Sequence, residues 1–210
     1  MSAMNPYRTL RQSASDEFII NKSRFIGYAA PCETEAEALA FLQSIRTKHK
    51  DATHNCYAYI IGQNAGIMRY SDDGEPAKTA GTPALEVLQH SGLTDLIVVI
   101  TRYFGGVLLG TGGLVRAYTT ATSRALEAAE VVTVRSVVAL DVTVDYGLYE
   151  RADLLIKAAG GKLAEPEFTD KVTLRWQMPE HTEGPLLTQL QELTRGTANV
   201  TVSEPFYAAF

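Results

Sequence analysis

LIVVITRYFGGVLLGTGGLVRAY, residues 96–118, runs from an apolar strand through five glycines in nine positions into a helix. A chain concentrates glycine where the backbone turns through φ > 0 or where something approaches it closely. Amides freed at a helix start favour anions, so the stretch reads as a phosphate-facing loop with Arg102 and Arg116 at its ends. The other reading is a tight strand-to-helix corner, in which Gly105, Gly106, Gly110, Gly112 and Gly113 serve packing alone. Neither common phosphate-loop pattern fits. Gly112 and Gly113 stand where a Walker A loop needs Gly-Lys, and no GxGxxG opens a first βαβ unit with an acidic residue about twenty positions on.

Around this stretch the spacing predicts α+β architecture in two domains. Strands are expected at 18–20 and 24–29, followed by a helix over 35–48 that Thr34 and Glu37 open as a capping box. Strands at 55–61 and 67–70 follow, then the polar run SDDGEPAKTAGTP, residues 71–83. Thr82 is expected to cap a helix with Pro83 at its first position, ending near Gly92. A strand at 95–101, the glycine loop and a helix over 113–130 complete a ββαββαβα order.

The pattern then restarts, which places the domain boundary at 133/134. A strand over 135–145, a helix over 148–159 stopped by Gly160 and Gly161, a hairpin of 162–168 and 171–177, a helix over 183–194 and a strand at 198–202 follow. This βαββαβ order is that of a ferredoxin-like domain.

Bulk properties narrow the function. A hydrophobic content of 46% with 20% charged residues is that of a folded globular chain. Nineteen Lys and Arg against 24 Asp and Glu give a net charge of −5, which argues against a general polyanion binder. Residues 1–134 carry a net −1 and residues 135–210 a net −4, so any nucleic-acid contact is local and belongs to the first half. Two cysteines, Cys32 and Cys56, suit a reducing compartment. No membrane span or signal peptide is expected, and a cytoplasmic location follows as the expectation.

Three groups of residues bear on chemistry. Asp72, Asp73 and Glu75, with His54 near them, invite a metal, partner-binding or acid/base reading, but DDGEP lacks the alternating acidic positions of a calcium loop, and an Asp73–Gly74 turn explains it without a ligand. His54 and Cys56 alternate on one strand and share a face, yet lie too far apart along it for a nucleophilic pair. Cys56 is expected to be a small buried residue and His54 a site candidate. Lys78, Arg102, Tyr103 and Arg116, with Thr111 among the glycines, combine cations and aromatic faces as RNA binding requires. Phe104 and Tyr118 are expected to pack in the core. Charged groups are rarely buried without a partner, so Asp72 or Asp73 as partner to the basic residues would make the set a structural ion pair.

HNCYAY at 54–59, SDDGEPAKTAGTP at 71–83 and TRYFGGVLLGTGGLVRAY at 101–118 together resemble the YigZ/Impact family. The resemblance covers about residues 17–130, and the remainder looks like the small domain that bacterial members add. It implies a first domain similar to the second domain of a small-subunit ribosomal protein and to GHMP-type kinases, and a second similar to the last domain of elongation factor G. In eukaryotic members the corresponding domain belongs to a translation regulator that competes for the ribosome-associated activator of an initiation-factor kinase. The functional expectation is a translation-associated protein that binds RNA, a nucleotide or a ribosome-associated partner through the glycine loop. The alternative is a phosphate-ligand enzyme related to GHMP-type kinases. No catalytic residue, metal or cofactor is assigned.

Overall fold

The structure, a computed structural model, describes residues 5–210, and the chain divides into two compact units, Tyr7–Thr133 and one containing Val134–Phe210. The first opens with β1 (Tyr7–Leu10), an element absent from the expected order. Thr9 Oγ1 donates to the Asp95 carbonyl at 3.0 Å, and the Thr94 N–H donates to the Arg8 carbonyl at 3.0 Å, which fixes the strand.

Five antiparallel strands follow in the order β2-β3-β6-β4-β5: β2 (Ala14–Ile20), β3 (Ser23–Pro31), β4 (His54–Ile61), β5 (Ile67–Ser71) and β6 (Leu96–Tyr103). The unbroken apolar run of β6 reflects cover on both faces. Leu96, Val98 and Ile100 pack with residues of α2 (Gly81–Ser91) and α3 (Gly110–Glu127), whereas Ile97 and Val99 pack with α1 (Glu35–Lys48). α1 starts as its sequence predicts, with Thr34 Oγ1 accepting the Glu37 N–H at 3.2 Å.

Two helix starts differ from expectation. Thr82 does not cap α2: its hydroxyl is buried without a partner, and the helix begins two residues earlier than expected, at Gly81 after Ala80. Asp72 caps it instead, from ten residues upstream of Thr82. Its Oδ1 accepts the N–H groups of Ala80 and Gly81 at 3.0 and 2.8 Å, and its Oδ2 accepts that of Lys78 at 2.8 Å. A carboxylate offers two oxygens to the free amides and opposes the helix dipole, which one hydroxyl cannot match. α3 begins at Gly110, three residues before the expected start, so the glycines form its first turn.

A buried histidine joins α1 to the sheet. His49 Nε2 lies 2.6 Å from Tyr28 Oη and Nδ1 lies 2.8 Å from Tyr103 Oη. Burial first, then the charges of Lys48 and Arg24, hold its pKa below the ordinary histidine value. The unfolded chain therefore binds this proton more readily than the folded one. His49 contributes stability that is present above about pH 6.5 and is lost as pH falls through its lowered folded value. Urea unfolding across pH should show a shallower loss on the acid side of pH 6.5 in His49→Gln than in the wild type, and an unchanged profile would contradict this assignment.

The second unit contains all but the first three residues of β7 (Val131–Val144), then α4 (Tyr146–Ala158), β8 (Lys162–Leu163), β9 (Glu167–Phe168), β10 (Val172–Pro179), α5 (Gly184–Leu193), β11 (Val200–Val202) and β12 (Phe206–Ala209). Strand pairing gives the ferredoxin-like order β11-β7-β10-β8. Val138, Leu140, Val142 and Val144 alternate on β7 and pack with Leu174, Trp176, Ile156 and Leu190, so both helices cover one face. The expected strand over 162–168 is split into β8 and β9 near Pro166, which has no N–H for the ladder. β12 lies outside the expected order. It pairs antiparallel with β7, Phe206 opposite Val137.

Candidate functional site

The acidic loop folds back over β4 as a connected unit. Asp73 and Gly74 have φ of 42° and 88°, and the Glu75 N–H donates to the Asp72 carbonyl at 2.9 Å, the arrangement of a tight turn with two left-handed residues. Asp73 Oδ2 accepts the Asn55 N–H at 2.6 Å, and its Oδ1 pairs with Arg46 at 2.8 Å. The Asp73 carbonyl accepts from His54 Nδ1 at 2.8 Å, so that nitrogen carries the proton in the neutral ring and Nε2 is left bare. Asp72 and Asp73 thus shape the turn and cap α2.

That turn drops Glu75 into the core. His54 sits opposite Arg102 in the β4–β6 ladder, so both side chains, with Cys56, share the face toward α2 and α3. Arg102 Nη1 reaches Glu75 Oε1 at 2.6 Å, and Tyr118 Oη donates to the same oxygen at 2.7 Å. Glu75 Oε2 lies 3.8 Å from His54 Nε2. Glu75 is 8% exposed and Arg102 5%. Burial pushes the Tyr118 hydroxyl and the Cys56 thiol well above their ordinary pKa values, so both stay protonated. Cys56 spends its S–H on the Asp72 carbonyl at 3.0 Å and is no nucleophile.

Arg102 therefore has its charge answered inside the protein, by Glu75 rather than by Asp72 or Asp73. The guanidinium lies 5.4 Å from the Phe25 ring centroid and 5.5 Å from that of Phe104. Tyr103, the next residue, points to the opposite face and meets His49. The two neighbours in the candidate set thus belong to different sides of the sheet.

The glycine loop is held at its base and open at its tip. Ser23 Oγ accepts the Gly105 N–H at 3.2 Å, and Thr53 Oγ1 accepts the Phe104 N–H at 3.0 Å. A Cβ on Gly105 would fall 2.0 Å from the Lys22 carbonyl carbon, so close backbone approach explains this glycine. Gly106 and Gly110 have φ of 83° and 68°, the left-handed region that glycine occupies without strain. Gly112 and Gly113 lie within the first turn of α3, where no side chain among the described residues caps the free amides. Arg116 is exposed one turn further on, its Nη1 3.8 Å from where a Cβ on Gly112 would sit, and among the described residues no carboxylate pairs with it. Thr111 is exposed beside it, and Lys78 is exposed on its own loop.

The candidate set thus divides. Thr111, Gly112, Gly113 and Arg116 gather at the start of α3, whereas the buried Glu75 and Arg102, with the half-buried His54 beside them, form a cluster beneath Phe104. Tyr118 is fully buried as expected, but Phe104 is 45% exposed, beside Val107 at 41% and Leu108 at 84%. Sequence reasoning missed the exposed Phe104, because an aromatic after an apolar strand reads as core. The signal was Gly105 and Gly106 directly after it, which turn the chain outward.

Fold and loop together define a two-domain α+β protein with an uncapped helix start beside exposed aromatic and aliphatic groups. The sequence matches the Impact N-terminal domain over residues 21–126 and a domain of unknown function, DUF1949, over residues 142–197. It is 36% identical over 204 residues to IMPACT family member YvyE of Bacillus subtilis, covering 97% of this chain and 94% of that protein. It is 35% identical over 189 residues to IMPACT family member YigZ of Escherichia coli, covering 88% and 92%. The chain belongs to the IMPACT family. A solved structure described as that of a hypothetical protein is 32% identical, with a TM-score of 0.62 over 96% of this chain and 98% of the other. The match to a Protein IMPACT homolog of Dictyostelium discoideum, 37% identical over 93 residues, spans 42% of this chain and 26% of that protein. No helix among the described residues is long and apolar enough to cross a membrane.

Proposed function

We propose that this protein is a translation-associated cytoplasmic binding protein whose N-terminal unit takes single-stranded RNA at the start of α3. The observation that carries the reading is one loop joining two kinds of contact. An uncapped turn of free amides with Arg116 beside it suits a phosphate, and the exposed Phe104 ring, backed by the Arg102 guanidinium, suits a stacked base. Arg102 acts here as a platform, because Glu75 already neutralises it. Lys78 and Arg116 are the exposed cations of the expected set, which makes the electrostatic part of binding weak and local. Eukaryotic relatives that share the N-terminal domain support a role in regulating translation.

Capture of the full chain from a lysate, with and without ribonuclease, tests this reading. Ribosomal partners should be retained without the nuclease and lost with it. A protein partner unaffected by ribonuclease, or the same capture by a Phe104→Ala, Arg116→Ala double variant, would contradict it.

A further inference from the structure

The face of the second sheet that α4 and α5 leave open holds a basin unrelated to the glycine loop, with a volume of about 440 Å³. That volume falls within the range of small-molecule sites. Its shape follows from the strand register. Ala139 on β7 lies opposite Gln177 on β10, and Gln177 lies opposite Lys162 on β8. One row along, Asp141 lies between Thr201 on β11 and Arg175 on β10. Residues paired across antiparallel strands project to the same face, so a lone methyl group at Ala139 is ringed by longer polar side chains. The side chain of Ala139 is the low point.

The charges around that low point are left open. Asp141 and Arg175 are direct cross-strand neighbours, yet Arg175 turns away to pair with Glu167 at 2.9 Å. Asp141 takes only the Thr201 hydroxyl. Among the described residues no cation pairs with Asp141 and no carboxylate pairs with Lys162, whose ammonium lies 4.3 Å from the Phe210 ring centroid. Ser203 has its hydroxyl on the Ala139 N–H and the Glu204 carbonyl, so it fixes the rim. The Gln177 amide has both a donor and an acceptor to offer from the floor.

The geometry points to a binding site for a peptide-like zwitterion of about dipeptide size, its ammonium at Asp141 and its carboxylate toward Lys162. Asp141 and Lys162 belong to strands separated by β10 and to rows two residues apart along it, so their backbones stand roughly 12 Å apart. That span suits a ligand whose opposite charges lie at its two ends rather than on one carbon. The peptide bond between them meets the Gln177 amide, which can give and accept a hydrogen bond. An acidic C-terminal side chain reaches Arg175, whose exposed pair with Glu167 is of a kind worth little and easily exchanged. Burying the ligand's charges against matched partners is favourable where burying either alone is not.

Titration of the isotopically labelled full chain with the dipeptide Ala-Glu, followed by amide chemical shifts, tests the site. Saturable shifts are expected at Ala139, Gln177 and Lys162. N-acetyl-Ala-Glu, which lacks the ammonium, and the Asp141→Asn variant with Ala-Glu should each bind about tenfold more weakly. Ala139→Leu, which fills the basin at a surface position, should abolish the shifts. Absence of saturable shifts in the wild type, shifts that map elsewhere, or equal affinity for the acetylated peptide would overturn the proposal. The acetylated-peptide comparison uses the wild-type chain and so decides the matter even if a variant melts early.

Discussion

Replacing Glu75 with alanine is expected to destabilise the N-terminal unit by about 3–5 kcal/mol, because it strands the Arg102 charge in the core. With Glu75 gone, Arg102 at 5% exposure keeps the Phe25 and Phe104 rings but, as side-chain hydrogen bond, only a long one to Ser23 Oγ at 3.5 Å, and Tyr118 Oη loses its acceptor. Its Nε already lacks a partner. Arg102→Ala should cost a similar amount by leaving the Glu75 carboxylate buried beside Tyr118. The double variant Glu75→Leu, Arg102→Met removes both charges at once, and buried pairs replaced by apolar groups of similar volume are often neutral. Urea unfolding of the four proteins should therefore show two large single effects and a much smaller joint one. Single losses below about 1 kcal/mol would mean that solvent reaches the pair and that its burial is overstated.

Gly105→Ala is the second large effect. The added methyl would fall 2.0 Å from the Lys22 carbonyl carbon and 2.5 Å from the Ser23 nitrogen, both backbone atoms that cannot rotate aside. Relief requires the β2–β3 turn to part from the loop, which breaks the Gly105 N–H bond to Ser23 Oγ. A loss of about 3 kcal/mol or more follows, at the upper end of overpacking effects. Gly106→Ala meets open space but holds φ at 83°, so about 1–2 kcal/mol of backbone strain is expected. Gly112→Ala lies in a helical turn where the added methyl meets only the flexible end of Arg116, at an ordinary contact distance of 3.8 Å, and should be neutral or stabilising. Equal melting temperatures for Gly105→Ala and Gly112→Ala would contradict the assignment of these glycines to different physical roles.

The elements with one strong local cause were legible in the chain. α1 is bounded as its capping box and apolar spacing predict, and β6 shows its burial on two faces as an uninterrupted apolar run. Starts that depend on distant residues were not. Thr82 is a good local cap, but a carboxylate brought over by the Asp73–Gly74 turn outbids it, and no spacing rule links position 72 to 80. The glycines at 110–113 read as loop because glycine is a poor helix former, whereas tertiary packing of Leu114, Ala117, Tyr118 and Ala121 carries the helix back over them.

The candidate site shows the same division. An ion pair was foreseeable from the rule that buried charges seek partners, but three acidic residues within four positions look alike in sequence. Only the turn geometry sends Glu75 inward while Asp72 and Asp73 stay with backbone amides and Arg46. Tyr103 and Arg102 are adjacent in sequence yet point to opposite faces of β6, a consequence of strand alternation that proximity in the motif conceals.

Titrating labelled single-stranded RNA against the full chain at several salt concentrations measures the central claim most directly. Each phosphate contact contributes about 0.7 to the slope of log affinity against log salt, so contacts from Lys78 and Arg116 give a slope of about 1.4. Arg116→Ala should reduce it by about 0.7 with an unchanged melting temperature, and Phe104→Ala should weaken binding while leaving the slope intact. No binding at low salt, or an Arg116→Ala protein that binds with wild-type affinity and slope, would contradict RNA recognition at the start of α3.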